Sequence, residues 1–206
     1  MVEQQMSPVD DRHAILSIAF KPRDTIQYLL NNKNLPYFIF IGIVSMFSSN
    51  IASFLGTTFD GEYSLGDIVY SSFMSSFLLY FVSTFIGAGV FLMSAKILGG
   101  QGTFKQMFRV VSIAMIPYIW ILPLLLFWMQ FAPQSFFDIS YMEMGLGDVM
   151  LQFVGYVFIL VASIWTYALT IIGISEVHKI TKWRAFFASI FVVVVLVVVL
   201  VFVLMI

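Results

Sequence analysis

Apolar residues run along this chain in stretches far longer than the core helix or strand of a water-soluble domain needs. Polar or glycine-rich breaks bound five of them: Leu35 to Leu55, Ile68 to Ala95, Val110 to Gln130, Val149 to Ile174 and Ala185 to Ile206. About 20 helical residues cross the hydrocarbon core of a bilayer, and each run reaches that length. Lipid offers no partner to a free N–H or C=O, so helix is the expected state of every run. Pro117 and Pro123 fall inside the third run and predict a kink or break, with neighbouring groups meeting the carbonyls they leave free. The expected fold class is all-α, a polytopic membrane protein with five transmembrane helices.

The first 34 residues follow a different pattern. Met1 to Arg12 is polar and reads as a tail, with no cleavable signal before the first apolar run, so insertion is expected to rely on the first membrane helix. His13 to Phe20 is apolar but too short to span. Pro22 then suits the first turn of a helix. That helix carries Ile26, Leu29 and Leu30 on one side and Asp24, Gln27 and Lys33 elsewhere, the pattern of a short helix in the membrane interface; a linker with helical bias is the plainer alternative. Two parts are expected: residues 1–34, a cytoplasmic tail with the interfacial helix, and residues 35–206, the five-helix transmembrane domain.

Composition agrees with the pattern. Of 206 residues, 61% are hydrophobic and 10% charged, where a soluble domain has about a quarter charged. There is no cysteine, which excludes disulfides and thiolate metal sites.

Charge adds orientation. All ten Lys and Arg residues lie in three segments: Arg12, Lys21, Arg23 and Lys33 near the N-terminus, Lys96, Lys105 and Arg109 after the second run, and Lys179, Lys182 and Arg184 after the fourth. The other two connections carry Asp60, Glu62 and Asp67, and Asp138, Glu143 and Asp148. The positive-inside rule places the N-terminus and both basic turns in the cytoplasm and the C-terminus outside.

Within the runs there is no Asp, Glu, Lys, Arg or His away from the ends. Ion-coupled transporters and intramembrane hydrolases depend on such groups, so no catalytic, cofactor or metal-binding residue is assigned and no enzyme is expected. His13 and His178 lie near the interface and are read as solvated side chains rather than as a metal pair. Small residues recur at four-residue spacing instead: Ser45, Ser49 and Ser53; Ser71 with Ser75, Ser72 with Ser76, and Ser83 with Gly87; Ala162, Thr166 and Thr170. Such rows either let helices approach closely or line a polar path, and packing is the favoured reading. The valine-rich fifth run suits a surface facing lipid or another protein.

The turn Leu98-Gly99-Gly100-Gln101-Gly102-Thr103-Phe104-Lys105 stands at the centre of the chain. Its glycines follow a membrane helix, and its lysine is too far along for a phosphate-binding loop. The local reading is a helix stop at Gly99 and Gly100, a turn through Gly102 and a restart capped by Thr103, with Phe104, Met107 and Phe108 dipping into the interface. This turn, together with Phe20-Lys21-Pro22, Pro117 and Glu176-Val177-His178, resembles the Yip (Ypt-interacting protein) family and its bacterial relatives over roughly residues 15–206. The resemblance implies five spans and a non-enzymatic partner protein without cofactors. Eukaryotic members are associated with Rab-type GTPases and vesicle traffic, but the Asp-Leu-Tyr-Gly-Pro motif of those proteins is missing here, which points to a bacterial-type member.

The expected function is that of an integral accessory protein of the bacterial cytoplasmic membrane. Its expected partners are membrane lipids and another integral membrane protein, such as an ABC-type exporter or an envelope-stress system, or a second copy of itself, with no nucleic acid. A small-solute or lipid transporter and a membrane-shaping or trafficking factor are the alternatives. The interaction surface is expected to comprise Phe20, Lys21, Pro22, Gly99, Gly100, Gly102, Thr103, Phe104, Lys105, Pro117, Glu176 and His178.

Overall fold

The computed structural model describes residues 14–59, 64–139 and 144–191. They form a helical membrane bundle: α1 (Ala14–Ser17), α2 (Pro22–Asn32), α3 (Leu35–Ser53), α4 (Leu65–Ile97), α5 (Phe104–Ala114), α6 (Ile116–Phe131), α7 (Pro133–Phe136) and α8 (Leu146–His178), followed by α9 over residues 182–191. Four stretches among the described residues are long and apolar enough to cross a membrane: α3, α4, α5 with α6, and α8. Of the fifth expected run, residues 185–191 lie in α9 and 192–206 lie outside the described residues. The chain is a multi-pass integral membrane protein.

Two of the spans outrun the expected boundaries. At 33 residues each, α4 and α8 are about 50 Å long, against a hydrocarbon core of about 30 Å. Local capping explains the extra turns at their starts. Ser64 caps α4, its hydroxyl accepting from Asp67 N–H while the Asp67 carboxylate accepts from Ser64 N–H, and Asp148 accepts from Gly145 N–H at the start of α8. Acidic groups in a first helical turn also complement the helix dipole.

The third run breaks as its sequence implies, but at only one of its two prolines. Met115 separates α5 from α6 just before Pro117. Pro117 has no N–H to give Ile113 C=O, and Met115 N–H donates there instead. Close by, the Ser48 hydroxyl of α3 donates to Tyr118 C=O at 2.6 Å. Pro123 lies within the unbroken α6.

The helices pack around α3, which touches α4, α5 and α6, while α8 lies against α5 and α6. One cluster joins Ile51, Leu55, Leu125, Trp128, Phe136 and Phe137; a second joins Ile18, Ile26, Leu29, Phe38, Ile41, Ile113 and Leu169; a third joins Ala88, Ala95, Met107, Val110, Ile174, Ala185 and Ala188. The second cluster alters the picture of the N-terminal helix. Ile26 and Leu29 are fully covered, because α2 lays its apolar side on α5 and α8 rather than on lipid. Met107 likewise turns into the third cluster, and Phe104 and Phe108 pack partly against it.

One small-residue face on each of α3 and α4 serves contact between helices. Ser72, Ser76, Thr84 and Ala88 of α4 are buried, at four-residue spacing with Tyr80 between them. On α3 the buried small positions are Gly42, Ser45, Ser48 and Ala52, and the expected row keeps only Ser45, since Ser49 is partly covered and Ser53 is exposed. Hydroxyls of Ser45, Ser76 and Ser83 donate to carbonyls of their own helices, which meets their polarity without a partner from outside.

The bundle has two unlike ends. At one, Gly56 N–H donates to Phe136 C=O (2.8 Å) and Asp138 N–H to Thr57 C=O (2.9 Å). A two-residue parallel pair, β1 (Thr58–Phe59) with β2 (Asp138–Ile139), continues this contact and joins the two acidic connections. At the other end α2, the glycine turn and the last turn of α8 converge.

Candidate functional site at the basic pole

The glycine turn is built from local rules. After α4 ends at Ile97, Gly99 takes φ +88°, a left-handed conformation that glycine adopts without strain. Gly99 N–H then donates to Lys96 C=O (3.0 Å) and Gly100 N–H to Ala95 C=O (2.8 Å), the paired bonds of a Schellman stop. Thr103 restarts the chain: its hydroxyl accepts from Gln106 N–H while the Gln106 carbonyl oxygen accepts from Thr103 N–H at 3.0 Å.

Between stop and restart the chain is held by His178. Gln101 N–H donates to His178 C=O (3.2 Å) and Gly102 N–H to His178 Nδ1 (3.1 Å). With Nδ1 accepting, the ring proton of the neutral imidazole sits on Nε2. His178 is 0% exposed, which corrects the expectation of a solvated histidine: it plugs the turn. His13 lies outside the described residues. Lys179 follows with φ +55° and ends α8, and Ser175 Oγ donates to Ile180 C=O at 2.7 Å.

Glu176 makes the second tie. It is 8% exposed, and its oxygens accept from Arg23 Nε (2.6 Å) and from the Gln27 amide of α2. A carboxylate this covered needs such partners. Arg109 fastens the other end of α2: its guanidinium donates to Leu30 C=O at 3.2 Å and lies over the Phe38 ring, 5.1 Å from its centroid.

The structure therefore brings Pro22, Gly99, Gly100, Gly102, Thr103, Glu176 and His178 to one end of the bundle. Lys21 stands there as the N-cap of α2, and Lys105 is exposed on the first turn of α5. Phe104 packs on Phe85, 4.8 Å between ring centroids. Phe20 projects outward, 86% exposed. Pro117 does not join them, being buried at the start of α6 within the bundle. Arg23, Gln27 and Arg109 are the site residues that sequence reading missed; the four-residue spacing of Arg23 and Gln27 on one side of α2 was the available signal.

These contacts are ties between segments rather than a reactive constellation. Glu176→Ala is expected to loosen α2 by about 2 kcal/mol, a roughly 30-fold rise in its open population. Tryptic cleavage after Arg23 or Lys33 in the detergent-solubilised protein reads that rise, and an unchanged cleavage rate would rule the tie out.

No curated protein and no solved structure matches the chain. A family model, the Yip1 domain, matches residues 16–203, a span that takes in α2, the glycine turn and Glu176 with His178. The chain belongs to the Yip1 domain family.

Proposed function

We propose that this Yip1-domain protein is a non-enzymatic accessory component of a bacterial cytoplasmic membrane, crossing it five times with the basic pole inside. It binds another integral membrane protein there, an ABC-type exporter or envelope-stress complex being the kind of partner expected, or a second copy of itself. One observation carries the reading. Glu176 and His178 are engaged in holding the fold, while Phe20 (86% exposed), Trp183 (73%) and Ile97 (71%) stand out among basic side chains at the same pole. Exposed aromatics beside positive charge suit recognition rather than reaction.

The test combines side and partner. Because the chain has no cysteine, Lys105→Cys and Thr58→Cys each report one pole. In intact cells an impermeant thiol reagent is expected to label Thr58→Cys and spare Lys105→Cys. A photoreactive side chain at Phe20 is then expected to give an adduct with one integral membrane protein, or of twice the chain's mass, that the same probe at lipid-facing Phe153 does not give. Reversed labelling overturns the orientation; identical adducts from both probes overturn the docking surface.

A further inference from the structure

Between the last turns of α4 and the start of α9 lies an apolar groove of about 310 Å³, lined by Ser94, Ile97, Leu98, Phe187, Ile190 and Phe191, at the lower end of the range for ligand pockets, about 300–1,000 Å³. Basic residues flank it in the chain. Lys96 precedes Ile97 on α4, and Arg184 lies one helical turn before Phe187, on the side of α9 that also carries Phe191. The Arg184 guanidinium reaches the glycine turn: Nη1 lies 3.9 Å from the point where a Cβ of Gly99 would stand. Lys182 lies in the same first turn of α9. Lys96, Lys182 and Arg184 are exposed and make no ion pair among the described residues. Beside them Trp183 is exposed, an amphipathic ring of the kind that settles at headgroup level.

From this juxtaposition we infer that the α4–α9 groove is a binding site for an anionic phospholipid of the surrounding leaflet. One acyl chain lies against Ile97, Leu98, Ile190 and Phe191, and the headgroup phosphate sits between Lys96 and Arg184. Charge complementarity selects the occupant. A zwitterionic lipid fills the groove equally well, but its ammonium opposes the attraction of its phosphate to the two cations, whereas an anionic headgroup brings the phosphate charge without that opposing group. Near an anionic surface each basic side chain contributes roughly fivefold in affinity. The site shares Ile97 and Trp183 with the exposed face described above, and the lipid titration reads it on the purified chain with no partner protein present.

Delipidated full-length protein in detergent, titrated with dioleoyl phosphatidylglycerol or dioleoyl phosphatidylcholine and read by native mass spectrometry, tests it. Wild type is expected to prefer phosphatidylglycerol by roughly fivefold or more. Lys96→Gln with Arg184→Gln is expected to remove that preference, so that the two lipids bind alike, with little change in thermal stability because both side chains are exposed. Ile190→Trp, which fills the groove, is expected to weaken both lipids. Millimolar inorganic phosphate is expected not to displace phosphatidylglycerol. Equal affinity for the two lipids, a preference that survives the double substitution, binding that ignores Ile190→Trp, or full displacement by phosphate each overturns the site.

Discussion

Gly100→Ala is expected to lower the melting temperature of the detergent-solubilised protein by roughly 6–12 °C, corresponding to a loss of about 3 kcal/mol. The cause is space rather than backbone conformation, because the positive φ of the turn belongs to Gly99. A Cβ on Gly100 stands 2.3 Å from His178 Nδ1, 2.8 Å from His178 Cβ and 2.8 Å from Ala95 C=O. Real Cβ contacts do not come so close, and two of the three obstacles cannot swing away. The Ala95 oxygen belongs to the helix stop and accepts from Gly100 N–H itself; the His178 Cβ moves only with α8. Relief thus requires the turn to part from the end of α8, breaking the bonds that His178 makes with Gln101 and Gly102. His178→Ala leaves that Cβ and Ala95 C=O in place, so it is expected not to rescue Gly100→Ala. Wild-type melting of Gly100→Ala would remove His178 and the helix stop as the constraint, whereas recovery in the double variant would leave the imidazole ring as the obstacle and remove His178 Cβ and Ala95 C=O.

The parts of this fold legible from residues alone are those decided within a few positions of the chain. Run length and hydrophobicity locate the four described spans. The Schellman stop at Gly99 and Gly100, the Thr103 cap and the break before Pro117 all depend on near neighbours. The apolar runs fall short at the starts of α4 and α8, because the Ser64–Asp67 and Gly145–Asp148 caps add turns that hydropathy alone does not mark. Burial at the basic pole was not legible: Glu176 meets Gln27 across 149 positions, and nothing near His178 in sequence says that a glycine turn 76 positions earlier closes over it. Spacing also could not say which small-residue row turns inward. Ser71–Ser75 and Ser72–Ser76 share a helix and a period, yet one row is exposed and the other buried. Only the partner helix decides, and α3 presents Gly42 to the second.

That contact carries the other large expected effect. Gly42→Ala places a Cβ 2.0 Å from Tyr80 Cε2, with Cζ and Cδ2 at 2.6 and 2.7 Å. Tyr80 has no easy retreat. It is fully buried, its hydroxyl is within 2.8 Å of Ser112 Oγ on α5 and 3.4 Å from Phe38 C=O on α3, and its ring packs on Phe108 at 5.9 Å. Either α3 and α4 separate, or Tyr80 abandons both polar partners and leaves an unmet hydroxyl between helices. The expected cost is about 3 kcal/mol or more, again roughly 6–12 °C in melting temperature. Here, unlike at Gly100, every obstacle is side chain beyond Cβ. Tyr80→Ala is therefore expected to destabilise on its own through the cavity it opens, by about 3–5 kcal/mol. Gly42→Ala added to that background is expected to cost almost nothing, because its methyl group enters space the ring has vacated. A double-mutant cycle read by thermal unfolding measures the coupling. A coupling near zero would mean that α3 and α4 meet elsewhere than at Gly42 and Tyr80; one close to the full cost of Gly42→Ala ties the buried α4 row to this single close approach.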